Sequence, residues 1–550
     1  MNRPSLIIVA LASALAVAAP PQGKAKPKLV VVVVVDQLRR SELDRLGPHF
    51  TGGFARLLST GAVLDGHYGQ QNTYTGPGHA LILSGSYGYL NGIIQNKWYN
   101  RERGRSEGML FDPDAKPIGG ESDPASNPDN DTSPRNFNGS TVGDELRLAS
   151  GMGSKSVSVA LKERGALLLG GRLGQAWFFG EKTGQMITST YYLDTLPEWV
   201  AKFNAQKLAE ASFGKSWERA LPVGAYTISG PDDSPFEGDI VGLKRTFPHP
   251  LTGGGDKPGP KFYEAFMTSP MGIDYEFAFA RAAVEADKLG GRGVTDLLAI
   301  SVSPTDYIGH TFGVYSQETE DALVRTDRAL GAFLTWLDGR LGKDGYVVVL
   351  TADHGASMPP EQAKKLGLGG ARVKKLQIKG AIDAALSARF GKGDWVVALE
   401  DPSVYLNDKL IAEKKLAPAE VQQAAGEALL TLPGFIGFAT RDNLLKGELP
   451  PTVAARAIAR SFFPARAGDL IAVQAPFSFW GKYGEKDFGG SHGSFYRYDT
   501  DVPLILAGAP FKPGYHGAAE MVDLAATLAH VLGTAPPAAC EGEVLTRVLK

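Results

Sequence analysis

The sequence predicts an α/β fold: a central, mostly parallel β-sheet flanked by helices and interrupted by inserted cap segments. Three observations lead to it. Leu29–Val35, Leu297–Val302 and Tyr346–Leu350 are short apolar runs rich in β-branched residues and leucine, as strands covered on both faces are. Stretches of helical periodicity, chiefly Tyr275–Leu289 and Glu318–Leu337, lie between and around them. Each run also delivers an acid just past its end: Asp36, Asp306 and Asp353. In open α/β sheets ligands bind beyond the carboxyl ends of the strands, so all three acids are well placed to be ligands.

The chain has 550 residues, enough for a large core, and a formal charge of −2 with mixed signs. No global basic field draws it onto nucleic acid, which is not expected as an obligate partner. Residues 1–19 read as a secretory signal peptide: Arg3 precedes an apolar segment ending in the small-x-small pattern Ala16-Val17-Ala18. That segment is shorter than the ~20 residues of a membrane span, so no permanent anchor is expected. Residues 20–28 form a short basic linker. The expected location is periplasmic or secreted, yet Cys540 is the only cysteine, which rules out an intrachain disulfide.

The elements follow in order. After the first strand and Asp36, a helix is expected around Phe54–Ser59. Then comes NTYTGPGHALILSG, Asn72–Gly85, where a hydroxyl at Thr75 precedes a glycine-proline-glycine turn and an apolar helix. Pro77 suits a first helical turn, and Gly76 and Gly78 would let an anion approach the backbone. Taken alone, a threonine before Gly-Pro-Gly is far more often a helix cap than a nucleophile, and only metal ligands elsewhere in the chain would reverse that for Thr75. Asn96 falls in a turn. Residues near 104–140 are rich in Asp, Pro, Asn, Ser and Gly and read as a long surface loop. Ser156–Gly165 begins as a strand; if it stays extended, Lys162 and Arg164 leave the same face, either to meet an anion or as an ordinary charged loop. Residues near 170–270 read as inserted material beside the sheet.

Asp306 and His310, four apart after the second apolar run, share one face of a helical turn and suit a single metal ion. Asp353-His354 follows the third. Residues near 362–475 read as a second insertion capping the sheet, with a helix near Ala417–Thr431. His492 sits among small residues, Asp501–Pro510 is a further strand and Met521–Leu532 a closing helix. The chain contains only nine histidines, so two of them recurring just past strand ends argue for metal binding rather than chance.

Seven pieces in one order carry a specific resemblance: VVDQLR at Asp36, TYTGPGHA at Thr75, QNKWY at Asn96, SVALKERGA at Lys162 and Arg164, SPTDYIGH at Asp306 and His310, TADHG at Asp353 and His354, and GGSHGS at His492. Together they resemble the alkaline phosphatase superfamily, most closely its bacterial periplasmic branch with a threonine nucleophile, from Val32 to about Leu532. The resemblance implies one catalytic unit over residues 29–550, broken by the insertions. It implies two Zn2+ ions, one on Asp306, His310 and His492, the other on Asp36, Asp353 and His354 with the Thr75 oxygen. It further implies that Thr75 forms a phosphothreonine and that Asn96, Lys162 and Arg164 bind the phosphoryl oxygens of small phosphate monoesters. A phosphodiesterase or nucleotide pyrophosphatase of the same superfamily is the nearest alternative; a non-catalytic phosphate-ester binder is another. A sulfatase would need Cys or Ser where Thr75 stands.

Overall fold

The run of valines from Leu29 to Val35 forms the middle strand of a ten-stranded sheet. The computed structural model describes residues 26–119 and 132–550; the expected signal peptide and most of the linker lie outside them. Among the described residues, no helix is long and apolar enough to cross a membrane. β-Branched residues favour the pleated conformation, and this strand is buried along its whole length, as expected for one covered by helices on both faces.

Its neighbours are the other two apolar runs, observed as Asp296–Val302 and Tyr346–Thr351, both parallel to it. Val32 lies opposite Ala299 on one side and Val349 on the other. Beyond Asp296–Val302 come Ser156–Ala160 and Gln175–Gly180, also parallel. On the far side Asp501–Ala507 runs antiparallel to both its neighbours, Tyr346–Thr351 and Ala62–His67. The mostly parallel sheet expected from the sequence is therefore present, with one antiparallel strand towards each edge, Asp501–Ala507 on one side and Gln185–Ser189 on the other.

The expected helices are present, at Gly53–Thr60, Pro270–Asp287, Gln317–Leu341, Pro418–Leu429 and Asp523–Leu532. Three expectations need correction. Within 104–140, Arg105–Gly108 pairs antiparallel with Lys97–Asn100, and Met109 and Leu110 are buried; the polar composition hid this hairpin, and 120–131 lie outside the described residues. Within 170–270, Gln175–Gly180 and Gln185–Ser189 extend the main sheet rather than lying beside it. Their apolar core, Ala176 to Phe179, is short and flanked by glycines, so it reads as a turn-rich insertion. Finally, the chain does not stay extended through Arg164: it turns at Lys162 into the helix Glu163–Gly170.

The 362–475 stretch has a sheet and a core cluster of its own. It builds its own four-stranded antiparallel sheet, in the order Val396–Glu400, Ser403–Leu406, Leu470–Gln474, Phe435–Thr440. Helices Lys375–Phe390 and Pro418–Leu429 pack on it around Ile378, Ile382, Trp395 and Val421, a core separate from that of the main sheet.

Candidate active site

Register brings the site together. Because the three central strands are aligned, their carboxyl ends lie at one level, and the Asp36 N–H donates to the Val302 carbonyl at 3.1 Å. Ser303 leads into the helix Pro304–Phe312, whose first residue is a proline with the fixed φ that a helix start favours. One turn of that helix sets His310 Nε2 3.1 Å from Asp306 Oδ1. His492, from the returning loop, lies 3.2 Å from His310 Nε2 and 3.6 Å from Asp306 Oδ1 through its own Nε2. Beside this group, His354 Nε2 is 3.5 Å from Asp36 Oδ1 and 3.3 Å from Asp353 Oδ2. The His354 and His492 rings stack at 3.6 Å between centroids, which joins the two groups. Potential ligand atoms of Asp36, Asp353 and His354 lie within 4.8 Å of one another, as do those of Asp306, His354 and His492.

The residues fit divalent cations. His310 Nδ1 faces the Gly490 carbonyl at 2.9 Å, His354 Nδ1 that of Gly355 at 2.9 Å, and His492 Nδ1 that of Thr73 at 2.7 Å. A carbonyl only accepts, so each Nδ1 donates and each Nε2 turns a lone pair into the cluster. Burial pushes His310 down to about 4 and His354 down to about 3, which keeps these rings neutral. Burial alone would raise Asp306, but His310 and Lys162 outweigh it and hold the carboxyl well below its usual range. Asp36 moves the other way, raised by burial and by Asp353. Asp36 Oδ1 and Asp353 Oδ2 are buried without a hydrogen-bond partner. Orphaned buried carboxylate oxygens facing imidazole lone pairs are what a bound cation would satisfy.

Thr75 is the first residue of the helix Thr75–Ser84, and Tyr74, not Thr75, occupies the cap position. Its Oγ1 lies 3.4 Å from His354 Nε2. The helix is buried throughout and approaches Asp353 so closely that a Cβ on Gly78 would stand 2.2 Å from the Asp353 carbonyl oxygen. Gly78 is thus needed for packing rather than for anion approach. Gly76 has the same character: a Cβ there would meet Met109 Sδ at 2.2 Å.

Asn96 Oδ1 accepts from the Gly76 N–H at 2.9 Å, which leaves its amide NH2 to donate elsewhere. The Lys162 ammonium is completely buried, 2.7 Å from Asp36 Oδ2 and also bonded to Asp306. It therefore ties one carboxylate of each group to the other. Arg164 Nη1 lies 3.1 Å from Glu163 Oε1, while its buried Nε has no partner. Arg164, Asn96 and Tyr74 line a cavity of about 410 Å³ together with Met109, Phe178 and Tyr483.

The candidate catalytic, binding and metal residues Asp36, Thr75, Asn96, Lys162, Arg164, Asp306, His310, Asp353, His354 and His492 come to this one place. Several neighbours do so without having been singled out. Gln37, next to Asp36 with a φ of 70°, donates its side-chain amide to Asp306 at 2.7 Å and its N–H to Asp353 at 3.2 Å. His79 Nδ1 lies 2.8 Å from the Thr75 carbonyl and 3.2 Å from Asp353 Oδ2. Its i,i+4 spacing from Thr75 is the one signal that could have marked it. Tyr483 stacks on the His310 ring at 4.0 Å.

Fold and site together define a member of the alkaline phosphatase superfamily. The chain belongs to the type I phosphodiesterase / nucleotide pyrophosphatase family, whose model matches residues 30–495. Alkaline phosphatase PhoV of Synechococcus elongatus is 34% identical over 535 residues, covering 96% of this chain and 94% of that protein. Alkaline phosphatase PafA of Elizabethkingia meningoseptica is 34% identical over 539 residues, covering 95% of each. A crystal structure of wild-type alkaline phosphatase PafA matches with a TM-score of 0.87 and 31% identity over 97% of this chain and 100% of that one.

Proposed function

We propose that the protein is a metal-dependent phosphomonoesterase that hydrolyses small phosphate monoesters through a phosphothreonine at Thr75. The observation that carries this is the position of the Thr75 hydroxyl: at a helix start, 3.4 Å from His354 Nε2, beside two adjoining groups of cation ligands. Relatives named alkaline phosphatases, matched over nearly the whole chain, support it.

Two Zn2+ ions suit the ligand sets, Asp306, His310 and His492 for one and Asp36, Asp353 and His354 with Thr75 for the other. When bound, such ions supply Lewis-acid stabilisation of the attacking and departing oxygens. The chain does the rest. Thr75 Oγ1 attacks phosphorus, the bond to the departing alcohol breaks, and the alcohol takes up the proton that the threonine gave up. Arg164 and the Asn96 amide engage the nonbridging oxygens and hold the phosphoryl group in line, while Lys162, paired with Asp36 and Asp306 rather than facing the cavity, holds the two ligand groups together. Water then attacks phosphorus from the vacated side, phosphate leaves and the Thr75 hydroxyl is restored.

The family description names phosphodiesterases, so a diesterase is the second reading. A monoester presents a dianionic phosphoryl group, and Arg164, which lines the cavity with its buried Nε without a hydrogen-bond partner, favours that charge. The deciding experiment compares p-nitrophenyl phosphate with bis-p-nitrophenyl phosphate before chelation, after it and after zinc return. Monoester turnover that disappears with chelator and returns with zinc is expected. Preference for the diester refutes the substrate assignment, and absence of any turnover with metal bound would make the protein a binder. The apolar segment within residues 1–19 supports export to the periplasm or beyond; a chain lacking those residues should stay in the cytoplasm.

A further inference from the structure

We propose that Arg372, which belongs to the inserted segment, is a positioning residue for His310. The inference rests on the reading of His310 as a metal ligand. The Arg372 side chain is 7% exposed and all its bonds are directed. Nε and Nη2 form a fork on Glu361, at 2.8 Å to Oε1 and 3.0 Å to Oε2. Nη1 donates to the Tyr483 carbonyl and Nη2 to the Gly489 carbonyl, each at 2.9 Å. One guanidinium therefore fastens both ends of the stretch 483–489.

That stretch touches His310 in several ways. Tyr483 lies flat on the His310 ring, with centroids 4.0 Å apart and planes 13° apart. Gly490, the residue after the second anchor, supplies the carbonyl that fixes His310 Nδ1 at 2.9 Å. Its own N–H donates to the Gly309 carbonyl at 3.2 Å. Gly489, at φ +71°, passes so near the helix that a Cβ there would stand 1.9 Å from the His310 carbonyl oxygen. The tautomer and tilt of His310 thus depend on a loop that contains several glycines and that Arg372 pins, and only the planar fork of arginine reaches the carboxylate and both carbonyls at once. Through this contact the inserted segment acts directly on the ligand group that contains His310, and reaches the other group only through the His354–His492 stack.

The test measures metal content of wild type, Arg372→Ala and Arg372→Lys across a chelator series. In the alanine variant one of two zinc equivalents should leave at about 10–100-fold lower chelator than in wild type, the other at an unchanged concentration. Added guanidinium ion should return the first towards wild type, an effect that a general loss of packing would not show. The lysine variant, which keeps the charge without the fork, should fall between the two. Equal weakening of both equivalents, no weakening of either, or no response to guanidinium overturns the proposal. A wild-type protein that holds fewer than two equivalents overturns the two-zinc reading itself, and this proposal with it.

Discussion

Lys162 Nζ lies 2.7 Å from Asp36 Oδ2 inside a site where neither side chain has any exposure. The same ammonium also bonds Asp306, so Lys162 links the two ligand groups, whereas Arg164 faces the cavity. The two cations therefore differ in kind. Arg164→Ala should lower monoester turnover much more than diester turnover while both metals stay bound. Lys162→Ala should reduce both activities and weaken metal retention, since removing one partner of a buried pair leaves carboxylates facing each other. Identical substrate profiles and metal contents for the two variants would contradict the distinction.

Thr75→Ala should keep both metals and lose about 10³-fold or more of monoester turnover. Thr75→Ser should retain a substantial part of the activity and trap phosphate on the serine when quenched in acid. Near-normal turnover by the alanine variant would reduce Thr75 to an ordinary first residue of its helix.

Metal removal should cost stability as well as activity. Of the three buried aspartates, Asp36 and Asp306 share one buried lysine, and one oxygen each of Asp36 and Asp353 has no hydrogen-bond partner. A ligand that binds only the folded state stabilises it by mass action, so the melting temperature should rise with free zinc. A melting temperature indifferent to zinc at concentrations that restore activity would count against a site built around buried cations.

Glu276 provides a pH signature outside the ligand set. Burial pushes it up to about 8, against the pull of the Ser303 and Leu161 N–H groups that it accepts. Its unfolded value is about 4.3. Between these values the folded chain holds a proton that the unfolded chain releases, so this group's contribution to stability falls as pH rises and reaches its minimum above about 8. Glu276→Gln keeps the accepting oxygen and does not titrate. In denaturant melts its stability relative to wild type should increase from pH 5 towards pH 9; a gap that stays constant would dismiss the shift.

Much of the site was legible because chemistry and strand ends coincide. Asp36, Asp353 and His354 follow valine-rich runs that read only as buried strands, and Asp306 with His310 has a helical spacing that the Pro304 start makes real. Local pattern misled at Arg164, where helix Glu163–Gly170 begins one residue before an extended chain would have put both cations on one face. It also missed Gln175–Gly180, whose apolar centre is too short to stand out between glycines, although the sheet accepts it as a strand. Gln37, Tyr483 and Arg372 have no local signature at all. Their roles come from partners far away in the chain: Gln37 from Asp306, Tyr483 from His310 and Arg372 from Gly489.

The span of the ligand set, from Asp36 near the start to His492 near the end, also sets when metal can be acquired. His492 Nδ1 is fixed by the Thr73 carbonyl, a contact spanning most of the chain. A nascent or translocating polypeptide that has not yet delivered His492 has one ligand group incomplete. If residues 1–19 direct export of an unfolded chain, loading must take place in the receiving compartment, and the divalent metal available there, rather than in the cytoplasm, determines how much of the protein becomes competent.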